Sequence, residues 1–352
     1  MSAIYWKDLE RPGDAAWGGL ALRVDGLTPQ PAAMRLLSGR NGRVQSVAGG
    51  QTLFWATLAH GYAGVWLIRT LAELPLEQMP IAPIHSPQVQ ACADLRGDDW
   101  FKAWSRFFAT ELSQRPGSFL HDGLWLLQGV RTETTAPPAP PDKLDDEAMR
   151  AIVRHWRWQT LGVGARLPEW GFYSLAYDLA ATPVHWIDWW GGSESNLLPL
   201  RQMRDDDGRV KWWRKKAREG CLPPVLALHL NCLSSSVIID GHCRLRAALL
   251  EGMAPDIIVI SSTQSVEVTP DPAEQERVLH SLEKSRQRQG ALFPVEKLNE
   301  ILVRVFDDRP ILQITTRAHA RLTEARWLDD VRAYLDEIGR SEDFAAIEAR
   351  EG

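Results

Sequence analysis

The stretch "SSSVIIDGHCRLRAALLEG", Ser234–Gly252, decides how this chain is read. A β-branched run, Val237–Ile239, ends at Asp240. A glycine then hands over to a segment with Leu245, Ala248 and Leu249 on one helical face, stopped by Gly252. The pattern predicts a strand, a tight turn and a helix. A helix that starts at such a turn leaves its first N–H groups without intrahelical partners, and the positive end of its dipole lies beside them. The turn is therefore suited to an anion.

The residues of the turn supply matching chemistry. Gly241 lacks the Cβ that would keep a phosphate from the backbone. Arg244, in the first turn, is able to fork onto phosphate oxygens, whereas Arg246 points elsewhere on the helical wheel and is auxiliary. His242 is a donor to phosphate or a general acid and base, and Asp240 a ligand for Mg²⁺ or an acceptor of a hydroxyl proton. Cys243 belongs to the phosphate turn by position, with a small semi-buried packing role as its alternative. The others have structural alternatives too: Asp240 caps the helix, His242 donates to a neighbouring loop, and Arg244 pairs with an acid such as Glu219.

Working outward, "VKWWRKKAREG" predicts a short helix ended by Gly220, "LPPVLALHL" a strand and "NCLSS" a turn. After the central strand and helix, "PDIIVIS" predicts a further strand. The order is helix, strand, turn, strand, helix, strand.

With that order, "REGCLPPVLAL…SSSVIIDGHCRLRAALLEGMAPDIIVI" resembles the ParB/sulfiredoxin superfamily over about residues 196–262. The likeness lies in a box of the type (I/V)-x-D-G-H-x-R-x-x-A between a strand and a short helix. It implies an α+β fold, with a ParB/sulfiredoxin-like mixed α/β domain in the middle of the chain. It also implies a nucleotide triphosphate, CTP or ATP with Mg²⁺, held at the Asp240-Gly241-His242-x-Arg244 turn. Members divide by chemistry: ParB-type proteins bind and hydrolyse CTP and clamp DNA, free-serine kinases transfer phosphate, and sulfiredoxins use a cysteine in G-G-C-H-R. Here His242 stands at the sulfiredoxin cysteine position, with Cys243 where that family has histidine. On a helix that one-residue shift turns the thiol by about 100°, away from the phosphate, which argues against sulfiredoxin chemistry.

Composition bounds the alternatives. The 352 residues are 45% hydrophobic and 24% charged, with a net charge of -5, so no global attraction to nucleic acid is expected. Four cysteines without a CxxC pair signal neither zinc nor a disulfide framework. The first residues, "MSAIYWKDLERPGD", show no leader, and no run of about 18 apolar residues predicts a membrane span, so a cytoplasmic protein is expected. Sixteen tryptophans, clustered as "WRW", "WIDWW" and "WW", read as core and domain seam, or as a protein-binding surface. No Walker, GxSxG, HExxH or GxGxxG motif occurs, and His60, His85, His121, His155 and His185 stand isolated.

The Pro-rich segment "TTAPPAPPD", 134–142, reads as a linker or surface loop. It divides a mixed α/β region at 1–133, with an Asn41-Gly42 hairpin signal and a helix in "DDWFKAWSRFFATEL", from a ParB-like domain at 143–265. That domain carries a Trp-rich N-terminal extension opened by a helix over "DKLDDEAMRAIVRHWRWQTLG". A helical region follows at 266–352.

Three functions compete. The first is a nucleotide-dependent phosphotransferase or hydrolase, with Asp240 and His242 catalytic, Gly241, Cys243 and Arg244 on phosphate, and Glu194 or Glu219 as outside base. Lys215, in the basic block Arg209–Arg218, plays a minor part near the nucleotide. The second is a non-catalytic binding or neutralising protein of a bacterial defence or partition-like assembly. The third is a DNA-associated regulator. Loss of function in Asp240→Ala with the fold intact would mark the enzyme; a steep salt dependence would mark the DNA binder.

Overall fold

The computed structural model describes residues 3–11, 16–27, 34–135, 146–161, 182–189, 197–201, 203–289, 295–306, 308 and 310–351. The chain is mixed α/β, with two mixed sheets flanked by helices. No helix among the described residues is long and apolar enough to cross a membrane.

The larger sheet is built around β7 (Gly123–Thr134), whose middle residues Trp125–Val130 are buried throughout, as in a strand covered on both faces. On one side β7 pairs antiparallel with β2 (Trp17–Asp25), which pairs with the edge strand β1 (Ala3–Glu10). On the other it pairs with β13 (Ile257–Val266). Beyond β13 come β11 (Val225–Leu230), β12 (Ser235–Asp240) and β10 (Leu197–Pro199), while β8 (Trp156–Thr160) extends β7 and β14 (Ile311–Thr315) extends β13. The β11–β13 and β10–β12 pairings are parallel and the rest antiparallel.

The smaller sheet is a meander of β3 (Arg35–Ser38), β4 (Arg43–Ala48), β5 (Gln51–Leu58), β6 (Gly64–Arg69) and β9 (Val184–Asp188), with β15 (Ala320–Arg321) parallel to β3. Its first turn is the expected Asn-Gly hairpin. Asn41 and Gly42 both have φ near +60° (59° and 67°), and Arg43 N–H closes the turn onto Arg40 O at 3.2 Å. The apolar run 51–74 holds the β5–β6 hairpin.

Short α1 (Ser86–Cys92) leads into α2 (Gly97–Gln114), the helix expected from its aromatic spacing. Trp104 and Phe108 on α2 are fully buried, and each such side chain contributes about 2–3 kcal/mol by leaving water. Gly129 of β7 admits α2, because a Cβ there would lie 2.6 Å from the Phe101 ring. The smaller sheet is covered by α8 (Glu324–Glu337) and α9 (Phe344–Ala349), which place Trp327, Val331, Leu335 and Ile347 in a second core with Trp55 and Ile68.

Several expectations need correction. The helix expected over residues 142–162 is limited to α3 (Asp146–Val153), because Trp156–Thr160 pairs with β7 and buries Trp156. The boundary expected at 134–142 falls between two paired strands, β7 and β8, and residues 136–145 lie outside those described. One sheet therefore joins strands from 1–133 to strands from 197–266. The C-terminal region contributes α6 (Pro272–Gln289), α7 (Val295–Phe306), α8 and α9, but also β14 and β15. Among the described residues, eight tryptophans are buried: Trp17, Trp55, Trp100, Trp104, Trp125, Trp156, Trp213 and Trp327.

The order expected across 208–266 is observed: α4 (Gly208–Arg218), β11, a 3₁₀ turn at Asn231–Leu233, β12, α5 (His242–Leu250) and β13. Both helices end in the same capping geometry. Cys221 N–H and Gly220 N–H return to Lys216 O and Ala217 O, and Met253 N–H and Gly252 N–H to Ala248 O and Leu249 O.

Candidate functional site

At the end of β12 the chain turns into α5 through Gly241, which has φ 104° and ψ 16°. No side chain caps α5. Asp240 is thus not its cap; its Oδ2 accepts from Arg244 Nη2 at 2.7 Å. The same Nη2 donates to Pro224 O at 2.9 Å, and the guanidinium lies 5.5 Å from the Trp213 ring. Arg244 is 2% exposed, so its fork is turned into the protein and its acid is Asp240, not Glu219. Gly241 is required for a reason the sequence did not show. A Cβ there would stand 2.8 Å from Arg244 Nη2, so the space left open is filled by this arginine and not by a ligand.

His242 is buried, and its Nε2 accepts from Leu200 N–H at 3.0 Å. That bond places the ring proton on Nδ1. Burial holds its pKa well below the usual imidazole range, and Arg201, Arg244 and Arg69 push it the same way. His242 is thus a neutral acceptor with an occupied lone pair, not a poised acid or base. Cys243 faces the same space as Arg244, against the expected rotation away from it, with Sγ 3.2 Å from Met203 Sδ. Burial raises its thiol pKa, so it stands there as a neutral thiol.

The turn forms one wall of an open pocket with about 630 Å³ of empty space. A second wall is the segment Met79–Ile84, fastened by Arg115 Nε to Met79 O at 3.0 Å and Arg209 Nη2 to Ile84 O at 2.8 Å. Two more guanidinium groups enter, Arg201 just beyond β10 and Arg209 at the start of α4. Burial lowers the pKa of both, while the Asp240 carboxylate pushes each back up. Among the described residues that line the pocket, Asp240 is the one carboxylate facing three arginines. The walls carry Met79, Ile81, Pro83 and Met203, a surface suited to an apolar or aromatic portion of a ligand.

The auxiliary residues lie elsewhere. Arg246 pairs with Asp205 at 2.5 Å. Glu219 is at the end of α4, 2.6 Å from Lys216 and 3.8 Å from Lys215, and its pKa is lowered chiefly by its hydrogen bond with Lys216. Arg214 and Arg218 share Glu251 at 2.5 and 3.2 Å. The basic block is thus largely paired, and Arg209 is its member in the pocket. Glu194 lies outside the described residues. Among the described residues, no three of His, Cys, Asp and Glu cluster as metal ligands, so Asp240 stands beside guanidinium groups and not beside other acids.

Arg201 was missed by sequence reasoning. No motif surrounds it; the parallel β10–β12 pairing, Pro199 opposite Ile238, brings it to the turn. Arg69 Nη1 fixes Pro199 O at 2.6 Å, and His242 fixes the next N–H. No protein-family model, curated protein or solved structure matches the chain.

Proposed function

We propose that this pocket binds the phosphate groups of a nucleotide triphosphate, CTP or ATP. The observation that carries the reading is the convergence of Arg201 and Arg209 on the uncapped N-terminus of α5. Free N–H groups, a helix dipole and two partly desolvated guanidinium groups together favour a multiply charged anion. The resemblance of the Asp240-Gly241-His242-x-Arg244 box to the ParB/sulfiredoxin superfamily supports a nucleotide over a simpler phosphate. Mg²⁺ carried on the triphosphate would meet one protein carboxylate, Asp240, whose Oδ2 is already bonded to Arg244.

Binding is favoured over transfer or hydrolysis. His242 is neutral with its Nε2 occupied, and Asp240 is tied to Arg244, so neither is poised as a base. Any phosphoryl chemistry at this site would rest on positioning and charge neutralisation. The protein-partner reading draws less support, because most of the tryptophans described lie in cores. The DNA reading draws less because Glu219 and Glu251 occupy most of the 209–218 cations.

The test is calorimetric titration of CTP, ATP and GTP, with and without Mg²⁺, into wild type and Arg201→Met. Micromolar binding of one nucleotide, weakened at least about tenfold (roughly 1.4 kcal/mol) in the variant, is the expected result. Absence of binding by all three, or binding indifferent to Arg201, overturns the reading.

A further inference from the structure

A second pocket lies where the C-terminal segment crosses from one sheet to the other. Thr315 ends β14 on the larger sheet, and five residues later Ala320 pairs with β3 of the smaller. Between them, Arg317 and His319 overhang a pocket that opens to solvent. Its floor is apolar and buried, formed by Leu36, Phe119, Trp125 and Leu230. Its polar lining is Arg35, His121, His229, Arg317 and His319, with the neutral hydroxyls of Ser262, Thr315 and Thr316. No Asp or Glu lines it among the described residues.

The two arginines also lack an ion pair. Neither Arg35 nor Arg317 has a carboxylate partner among the described residues; Arg317 Nη1 reaches only Asp122 O, at 3.4 Å. The Asp122 carboxylate is turned to Leu27 N–H at 2.7 Å. Arg35 Nε is buried without a hydrogen-bond partner. The His121 ring lies 4.7 Å from Trp125 and 5.8 Å from His319, centroid to centroid, so His121, isolated in sequence, meets a second histidine here on an aromatic surface.

We propose that this pocket is a second anion site, distinct from the α5 pocket, which takes a small organic carboxylate with an apolar or aromatic body. The body lies on the Phe119–Trp125 floor and the carboxylate between Arg35, Arg317 and His319. Two half-buried or rim guanidinium groups without a counter-ion select the charge, and the apolar floor selects the body. Protonation of the histidines adds to binding. His121 faces Arg317 and Asp122, and His319 faces His121, Arg317 and Arg35; burial and these arginines keep both below the usual imidazole range. An incoming carboxylate raises both pKa values, so affinity grows as pH falls from 8 to 6. His229, lowered to about 4 by burial, stays neutral across that range.

The probes are benzoate, uncharged benzamide and inorganic phosphate, titrated at pH 6 and pH 8 while the histidine ring resonances are followed by NMR. Benzoate is expected to shift the His121 and His319 signals and to bind at least tenfold tighter than either benzamide or phosphate, more tightly at pH 6. Arg317→Gln, an exposed substitution that leaves the cores untouched, is expected to weaken benzoate at least fivefold. Equal binding of benzoate and benzamide would make the pocket an apolar cavity only and overturn the proposal. So would benzoate binding indifferent to Arg317, or no benzoate binding at millimolar concentration.

Discussion

Asp256 offers the sharpest quantitative test of the fold around the site. It precedes β13, and its main-chain oxygen accepts from Val225 N–H at 2.9 Å, which starts the parallel β11–β13 pairing. Its side chain lies in a recess beside Gly220 and Met253, where α4 and α5 end. Loss of water disfavours a carboxylate there. Burial raises its pKa from the ordinary 3.8 to about 6, against the opposing pull of Arg131, Thr132 N–H and the Trp100 indole. Below about pH 3 the group is protonated both folded and unfolded, and it costs nothing. As pH rises toward 6 the unfolded chain releases the proton while the folded chain keeps it, so stability falls. Above about pH 6 both have released it and the penalty is constant.

A gap of roughly two units corresponds to about 3 kcal/mol, a ceiling because the recess opens to water on one side. Asp256→Asn removes the titration and keeps an oxygen for Thr132 N–H. Urea unfolding of both proteins at pH 4.5 and pH 7.5 gives the difference in stability at each pH. Because the unfolded carboxyl is already largely ionised at pH 4.5, the variant is expected to gain up to about 2 kcal/mol relative to wild type between the two pH values. A difference that stays constant within about 0.5 kcal/mol would refute the reasoning and show that Arg131 holds the carboxylate ionised at little cost.

Two further substitutions test the α5 turn. Gly241→Ala imposes φ 104° on an L-residue and drives a methyl group into Arg244, so a loss of about 2 kcal/mol in urea unfolding is expected; an unchanged midpoint would contradict the geometry. Asp240→Ala leaves Arg244, 2% exposed, without its carboxylate, and is expected to cost about 3–5 kcal/mol, with Asp240→Asn costing less; equal costs would show that the charge of Asp240 is irrelevant to holding Arg244. The second result also bears on function, since lost activity in Asp240→Ala would not mark a catalytic residue. Arg201 is the cleaner probe.

What the sequence made legible is local. Gly220 and Gly252 stop α4 and α5 as a helix-stop rule requires, Asn41-Gly42 turns its hairpin, and the aromatic spacing of Trp100, Trp104 and Phe108 draws α2. What it hid is pairing between distant strands. Nothing in "GLWLLQGVR" says that β7 lies between residues near 20 and residues near 260, so the Pro-rich segment reads as a boundary while the sheet runs past it. In "WRWQT" the alternation of Trp156 and Trp158 was outweighed by the helical charge pattern before it. The Asp240–Arg244 pair, four residues apart, was within reach of a helical reading, because that spacing joins side chains one turn apart. Arg201 and the Met79–Ile84 wall were not, since they enter only through tertiary contacts.

The concentration of polar residues at the Asp240–Arg244 turn has a structural cause that is separable from its chemistry. A strand that ends inside a protein leaves backbone groups that still need partners. Here two such ends flank β12: β10 stops at Pro199, and β11 begins at Val225 after two prolines. His242 accepts the N–H of Leu200 beyond the first, and Arg244 donates to the Pro224 carbonyl before the second. Asp240 neutralises the cation that this service buries, and Gly241 leaves it room. A box of this form is thus favoured by the sheet edge alone, and its presence does not by itself indicate a reaction. The groups left facing the pocket beyond that duty are the α5 N–H donors, Arg201 and Arg209. It is on them, and not on the histidine or the aspartate, that ligand binding should depend.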